Sequence, residues 1–237
     1  MKVLSGAPGA LAVLLWIVFG VTLIIFLTAG DGGYLADQML RNAPPEVTGL
    51  PEPEYPGVGE MTAGYLTGRT EMFQYTVTDG SGNGIPCFNE REAAHMADCR
   101  TLIRLDRTAM ILSGAGVLAL LGVWILMRRY TGAFCRGMIW GLRVVLTVSA
   151  AFAAWALADF DGFFITFHRI AFTNDGWLMD PRTDMLIRLM PARFFVGLGI
   201  RGLMWAALLP AVPEIVARLG LRGTAGDKRR PDHLIDQ

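Results

Sequence analysis

The chain has 237 residues, 53% of them hydrophobic, and its mean hydropathy is +0.41. An ordinary soluble domain of this length is less apolar, so the composition excludes that class and indicates a membrane protein. The 21 basic and 21 acidic residues balance to a formal net charge of zero. Nothing in the charge pattern suggests nucleic acid as a partner.

Four apolar windows are long enough to cross a bilayer. A hydrocarbon core of about 30 Å requires roughly 20 apolar residues of helix, and such windows occupy residues 8–29, 108–127, 137–158 and 191–215. The first window follows Lys2 and could be a cleaved signal peptide, but its apolar run exceeds the roughly 7–15 residues of a signal. We therefore predict four transmembrane helices, the first of them a retained anchor.

The distribution of charge predicts how these helices are oriented. Arginines crowd residues 128–136 and basic residues crowd 216–237, so the positive-inside rule assigns both segments to the cytoplasm. Residues 30–107 hold twelve acidic and six basic residues, which suits the outer face. The predicted fold class is a membrane all-α protein. Its four transmembrane helices carry a small extracellular α+β cap, residues 159–190 form a second extracellular loop, and both termini are cytoplasmic.

The first outer segment begins with a Pro/Gly-rich connector at residues 42–59, which we do not expect to be regular. Alternation in residues 73–78, the turn-forming DGSGNG and a return strand near residues 85–88 predict a β-hairpin. Asn89, with Glu92 three residues later, forms a capping-box pattern that begins a helix. No breaker separates this helix from the second span, so we expect one continuous helix.

The three cysteines divide between the two predicted sides of the membrane. Cys87 and Cys99 lie in the predicted cap, and Cys135 lies in or near the cytoplasmic loop. An oxidising exterior would permit a Cys87–Cys99 disulfide, and two unpaired small residues are the alternative. Cys99 also follows His95 by one helical turn, the spacing of a nucleophile and its base. The sequence implies no third group to orient such a pair.

The second outer segment divides into two short pieces. Residues 158–172 are rich in aromatic side chains, and we expect them to continue the third helix or to re-enter the membrane at the interface. Residues 180–190 resemble a short helix that Asp180 caps, with Pro181 at its first position. Its apolar residues are expected to lie on the membrane surface. Pro191 then begins the fourth span.

His95 and His168 are predicted to lie at the same depth, at the outer interface. His95 opens a helix that leads into the membrane, His168 follows a helix that leaves it, and carboxylates such as Asp98 lie nearby. A single interfacial histidine would be expected only to hydrogen-bond to backbone. Two at matching depth indicate an acid–base pair, because imidazole takes and returns protons near neutral pH.

The sequence does not favour a metal site. It contains no HExxH, HxxxH or CxxC spacing, and the third histidine, His233, lies in the charged C-terminal tail. A zinc site would therefore need ligands from remote positions. Arg201 falls near the middle of the fourth apolar window, where no carboxylate neighbours it. We expect its counter-charge to come from a substrate or a lipid headgroup.

Two stretches resemble a known family. The segments NEREAAHMADCRTL and FHRIAFTNDGWLMDPRTDMLIRLMPARFF resemble the signature stretches of the bacterial lipoprotein intramolecular transacylase family. That family's four membrane helices and extracellular cap match the layout above. The resemblance implies that His95 and His168 are the catalytic pair. Cys99 departs from it, because an aliphatic residue is expected there in the family.

The resemblance implies an acyltransferase of the bacterial cell membrane whose active site lies at the extracytoplasmic interface, among membrane lipids. Its substrate would be a diacylglyceryl lipoprotein, whose sn-2 acyl chain moves to the α-amine of the same N-terminal cysteine. No metal or other cofactor is expected. Candidate oxyanion donors and substrate-binding residues are Asn174, Arg193, Asp98, Phe164, Phe167, Phe172 and Trp177. The aromatic residues among these candidates would suit a belt at the membrane interface equally well.

Two other functions stay open on the residues alone. One is a metal-dependent membrane hydrolase of lipids or lipopeptides, which chelators would inactivate. The other is a non-enzymatic membrane scaffold, whose function His168→Asn would leave intact.

Overall fold

The structure is a computed structural model that describes residues 6–78, 82–126 and 131–227, without the side chains of residues 225–227. Their regular elements are helices apart from one short two-stranded sheet. The predicted turn at residues 79–81, residues 128–130 of the predicted loop, and His233 lie outside the described residues. The elements are α1 (Ala7–Ala29), α2 (Gly32–Asn42), α3 (Pro45–Thr48), a 3₁₀ turn (Glu52–Glu54), α4 (Tyr55–Thr67), β1 (Thr76–Thr78), β2 (Gly84–Pro86), α5 (Glu90–Leu126), α6 (Thr131–Ala158), α7 (Phe160–Ala171), α8 (Met185–Leu189), α9 (Ala192–Ala206) and α10 (Ala211–Asp227).

The prediction of four membrane-spanning helices is confirmed within the described part of the chain. The stretches that are long and apolar enough are Ala7–Ala29, Glu90–Leu126, Thr131–Ala158 and Ala192–Thr224. The second is one continuous helix from Glu90, as the absence of a breaker before the second span predicted. The fourth is interrupted by a turn at residues 207–210. Pro210 explains the interruption, because proline lacks an N–H and its ring clashes with the carbonyl four residues earlier.

The chain divides into two compact units. Unit 1 comprises Met1–Val21, Ala109–Ala154 and Trp205–Gln237. Here α1 and α6 approach closely, because a Cβ added at Gly9 would strike the backbone of α6, and one added at Gly137 would strike the backbone of Gly6, just before α1. Small residues are the usual means by which helices in membranes come this close. Cys135 is fully buried in α6, in the core of this unit, and not in a loop.

Unit 2 comprises Thr22–Thr108 and Trp155–Met204. Its core joins buried side chains of α2, α4, α8 and α9. The helices α2 and α4 pack closely, because a Cβ added at Gly59 would strike the carbonyl of Gly32 and the side chain of Ala36. The core is formed by Leu35, Met39, Leu50, Tyr55, Val58, Ala63, Tyr65, Phe73, Met96, Leu186, Leu189, Met190 and Phe194.

The expectation of an irregular connector at residues 42–59 is wrong. This stretch forms α3, the 3₁₀ turn and the start of α4. Pro45 stands in the first turn of α3, where a missing N–H leaves no helical hydrogen bond unmade. Gly49 ends that helix with a φ of 74°, which glycine adopts without strain. The buried hydroxyl of Tyr55 donates to the Ala43 carbonyl at 2.5 Å and closes the segment on itself.

The predicted β-hairpin and capping box are both confirmed. Strands β1 and β2 are antiparallel, with Val77 opposite Ile85. The hairpin is shorter than predicted, since Phe73 is instead buried in the core of unit 2. Asn89 Oδ1 accepts the Glu92 N–H at 3.0 Å, and Glu92 Oε2 accepts the Asn89 N–H at 2.7 Å. This reciprocal bonding begins α5 where the sequence predicted.

The predicted cap and orientation of the short helix at residues 180–190 are wrong. The helix α8 begins at Met185, after Asp184 and not after Asp180. The carboxylate of Asp180 is engaged by the backbone and guanidinium of Arg182 instead. The side chains of Leu186 and Leu189 are 4% and 0% exposed, so this face packs into the core of unit 2 and does not lie on a membrane surface.

Candidate active site

The structure brings His95 and His168 together in unit 2. His95 lies in the second turn of α5, which the capping box positions. His168 lies near the end of α7, whose start is held by Asp159 accepting the Gly162 N–H at 2.9 Å. The two ring centroids are 6.2 Å apart with an interplanar angle of 27°, and the residues are only 8% and 7% exposed. The sequence predicted a pair at matching depth, and the structure places the two rings side by side.

The hydrogen bond of His168 determines which of its nitrogens is basic. Its Nδ1 lies 2.7 Å from the carbonyl oxygen of Phe164. A carbonyl can only accept, so Nδ1 carries the hydrogen and Nε2 carries the free lone pair. Burial lowers the pKa of His168, and the hydrogen bond to Phe164 offsets part of this effect. The ring is therefore neutral near pH 7, with Nε2 able to take a proton.

His95 uses its nitrogens differently. Its Nε2 lies 3.5 Å from Cys99 Sγ, so the predicted one-turn contact is formed. Its Nδ1 is buried and has no hydrogen-bond partner among the residues that the structure describes. An unpaired polar atom at a buried position requires an explanation.

Aromatic rings enclose the pair. The Phe172 centroid lies 5.0 Å from that of His95 and 5.5 Å from that of His168. The rings of Phe164, Phe167 and Trp177 lie 4.1, 5.4 and 5.1 Å from His168. All four aromatic candidates from the sequence therefore contact the histidines. Their apolar surface removes water from the pair, which is the cause of the lowered pKa of His168.

The polar candidates take different places. Asn174 Nδ2 donates to Asp98 Oδ2 at 2.9 Å, and Asn174 Oδ1 accepts the Gly176 N–H at 2.9 Å. Asn174 thus ties the segment after α7 to α5 one turn beyond His95, and its second amide hydrogen stays available. Arg193 is exposed in the first turn of α9. No contact found among the described residues joins it to either histidine.

Two buried carboxylates support the site, and the sequence indicated only one of them. Glu92, 1% exposed, accepts the N–H groups of Asn89 at 2.7 Å and Leu186 at 2.5 Å. Asp184, also 1% exposed, accepts from Asn89 Nδ2 at 2.9 Å and from the Arg91 guanidinium. Together they hold the start of α5 against α8. The capping box pointed to Glu92, but no local pattern pointed to its contact with a residue 94 positions away.

The prediction that a substrate or a lipid headgroup supplies the counter-charge of Arg201 is wrong. The guanidinium of Arg201 pairs with Asp31 at 2.8 Å and lies over the ring of Tyr34, 4.0 Å from its centroid. Hydrogen bonds from the Tyr34 N–H and from Arg201 lower the pKa of Asp31. Because Asp31 follows the end of α1, a search for carboxylates within the apolar windows misses it. Asp31 therefore supplies the counter-charge of Arg201 from within the protein.

The cysteines and the possible metal ligands are described here within the same residue ranges. Cys87 and Cys99 are both free thiols, so the disulfide alternative is not realised in this structure. In residues 6–78, 82–126 and 131–227, no three His, Cys, Asp or Glu side chains form a group that could hold a metal ion.

Solved structures of known function share this fold. The in meso structure of the membrane integral lipoprotein intramolecular transacylase Lit from Bacillus cereus has a TM-score of 0.71 and 17% identity. The match covers 95% of this chain and 98% of that one. A variant of that protein with arginine in place of one histidine has a TM-score of 0.62 and 14% identity, covering 96% and 95%. The variant with alanine in place of that histidine has a TM-score of 0.60 and 15% identity, and the match covers 92% of this chain and 96% of that one. These likenesses concern the fold.

The sequence itself carries the family assignment. Comparison with curated proteins finds no match. A scan against protein families matches residues 10–195 to the family described as "Lipoprotein intramolecular transacylase Lit". The matched region includes both histidines and all four enclosing aromatic residues. The chain therefore belongs to the Lit family of membrane lipoprotein intramolecular transacylases, which are acyltransferases.

Proposed function

We propose that the protein moves the sn-2 acyl chain of a diacylglyceryl-cysteine lipoprotein to the α-amine of the same cysteine. The product is a lyso-form lipoprotein. The ester C–O bond breaks, an amide C–N bond forms, and one proton passes from the amine to the glycerol oxygen. The observation that carries the proposal is the buried His95–His168 pair in a chain of this family.

The reaction imposes a geometric demand on the site. Attack of the amine on the sn-2 carbonyl closes a ring of roughly eight atoms through Cα, Cβ, sulfur and two glycerol carbons, and holding reactants in such a near-attack geometry supplies much of the rate enhancement. The rigid rings of Phe164, Phe172 and Trp177 around the histidines suit this task. They hold the folded headgroup and keep water away from the ester.

His168 acts as the base in this proposal. An α-ammonium with a pKa of about 8 must lose a proton before the nitrogen can attack. His168 is neutral near pH 7, and its Nε2 lone pair is free because Nδ1 is committed to Phe164. A base whose pKa lies near the working pH contributes roughly 10²–10⁴-fold to a rate.

His95 returns the proton to the departing glycerol oxygen or polarises the sn-2 carbonyl. The unpartnered Nδ1 of His95 is the atom available for this step. The 6.2 Å between ring centroids is short enough for one bound headgroup to contact both histidines. The second amide hydrogen of Asn174, or the guanidinium of Arg193, is a further donor for the developing oxyanion. Asp98 holds Asn174 in place for that role.

The orientation of the protein is part of the proposal. Basic residues at positions 128–136 and 216–237 support a cytoplasmic location for these segments and for both termini. The histidine site then lies at the extracytoplasmic interface of a bacterial cell membrane, where membrane lipids surround it. This agrees with a substrate whose lipid is in the bilayer and whose peptide is in water.

The test is mass spectrometry of an N-terminal lipopeptide from a host that makes only diacylglyceryl lipoproteins. With the intact protein we expect an unchanged total mass, with fragment ions that place one acyl chain on nitrogen. His168→Asn keeps a donor for the Phe164 carbonyl but removes the base, so transfer should fall by about 10²–10⁴-fold. We expect His95→Asn to reduce transfer on a similar scale, and His233→Asn is the matched control.

The outcomes separate the proposed function from its alternatives. Loss of one fatty acid from the total mass would indicate a hydrolase and contradict intramolecular transfer. No change in the lipopeptide with the intact, membrane-inserted protein would also contradict it. Full transfer by both His95→Asn and His168→Asn would leave the acyltransferase but remove the histidine mechanism.

A further inference from the structure

A cavity of about 450 Å³ opens in unit 2 beneath the β-hairpin. Its walls include Val77 and Ile85 of the hairpin, Leu50, Met185 of α8, and Glu92 of α5. Its volume lies within the range of about 300–1,000 Å³ that is usual for ligand pockets. No step of the proposed acyl transfer uses it.

One wall of the cavity lies about one helical turn from His95 along α5. Glu92 precedes His95 by three residues on α5, a displacement of about 4.5 Å along a helix axis. The carboxylate of Glu92 is engaged by two backbone N–H groups, so this wall is held in place and is not itself an acceptor for a ligand. The cavity therefore lies toward the start of α5, on the side away from the apolar part of that helix.

The substrate must extend in this direction. The attacking α-amine belongs to the first residue of the lipoprotein, and each further residue extends the chain by about 3.3–3.6 Å. When the amine is at the histidines, the second residue is within reach of the Glu92 wall. The acyl chains need apolar surroundings, so the peptide leaves toward the opposite side. We infer that the cavity binds the two or three residues that follow the lipidated cysteine, an inference that rests on the proposed function.

The lining determines which peptides fit. Leu50, Val77, Ile85 and Met185 present apolar surface, which favours apolar side chains in the substrate. Arg188 adds a positive charge to the same wall. Its guanidinium donates to two backbone carbonyls, those of Thr48 at 3.3 Å and Asp184 at 3.4 Å, and no ion pair among the described residues includes it.

A carboxylate in the substrate would supply the missing counter-charge of Arg188. The cavity thus selects apolar residues together with an acidic one, and it disfavours a basic one.

The first experiment varies peptide length. Synthetic diacylglyceryl-cysteine lipopeptides with zero, one, two, three and five further apolar residues are offered to the full-length protein in proteoliposomes. We expect kcat/KM for O-to-N transfer to rise by about tenfold or more up to two or three residues, the scale of one buried apolar side chain, and then to level off. Equal kcat/KM at every length would overturn the inference while leaving the proposed function intact. No transfer at any length would overturn both.

Ile85→Trp tests whether the cavity is the cause. Ile85 lines the cavity and is 52% exposed, so a larger side chain fills the space without disturbing the core. We expect this variant to lose the gain from peptide length and to keep the rate on the lipidated cysteine alone. Val47→Trp is the matched control, because Val47 is 58% exposed and lies outside the cavity lining. An equal loss on short and long substrates would contradict the inference.

Arg188→Gln tests the charge preference. The wild-type protein should prefer a lipopeptide with Glu at its third residue over one with Lys, by about tenfold or more. Arg188→Gln should remove that preference, measured as the ratio of kcat/KM for the two peptides so that a general change in activity cancels. Arg182→Gln is the control, because Arg182 is exposed and already pairs with Asp180. A preference that survives Arg188→Gln would exclude Arg188 as the selecting group.

Discussion

Replacing Glu92 by alanine should strongly destabilise unit 2. The side chain is 1% exposed, and its two oxygens accept N–H groups from both ends of a contact between α5 and α8. A hydrogen bond to a charged group contributes about 1.5–3 kcal/mol, so losing two removes about 3–6 kcal/mol. For a chain of 150–250 residues, 1 kcal/mol corresponds to about 2–4 °C in Tm. We therefore expect Glu92→Ala to lower Tm by about 6–24 °C.

The measurement is thermal unfolding of the detergent-solubilised protein, followed by tryptophan fluorescence. Glu90→Ala is the matched control, because Glu90 is exposed in the same turn of α5 and should change Tm by no more than about 2 °C. Glu92→Gln keeps one carbonyl acceptor and loses the other, so its Tm should fall between the two. If Glu92→Ala and Glu90→Ala unfold at the same temperature, the carboxylate does not hold the start of α5 on α8.

Three further predictions concern the site and its surroundings. Because burial lowers the pKa of His168, the acidic limb of the profile of kcat/KM against pH should lie below the ordinary histidine value of about 6.5. Trp177→Ala should move this limb to higher pH, because it exposes the His168 ring. A limb that Trp177→Ala does not move would contradict this reasoning. Cys99→Ala should retain activity within about threefold, whereas a covalent nucleophile would lose nearly all of it. A double-mutant cycle on the free energy of unfolding for Arg201→Gln and Asp31→Asn should give a coupling energy of about 0.5–1 kcal/mol, since the pair is partly exposed. A coupling energy of zero would show that the ion pair does not form in the membrane.

The features that could be predicted from the sequence are those that depend on near neighbours in the chain. The apolar windows predicted the four spans, because a membrane helix must satisfy its own backbone and face lipid over about 20 residues. Asn89 and Glu92 predicted the start of α5, since both partners of a capping box lie within one turn. His95 and His168 could be paired by depth, because each stands beside a span end.

Where the prediction failed, a distant contact had changed a local preference. Prolines in residues 42–59 suggested an irregular connector, yet Tyr55 and the α2–α4 packing make that stretch helical. The apolar face of α8 suggested a membrane surface, but the Leu186 N–H bonded to Glu92 turns that face into the core.

The sequence by itself determined that this is a four-span membrane protein and predicted that two of its histidines act together, since hydropathy and helix caps are local properties. Only the tertiary structure decided that Arg201 is neutralised by Asp31, that Asn174 bonds to Asp98, and that a cavity opens one turn from His95. The physical reason is that these contacts join residues far apart in the chain. Their geometry depends on how whole helices pack, and no pattern within a single window encodes that packing.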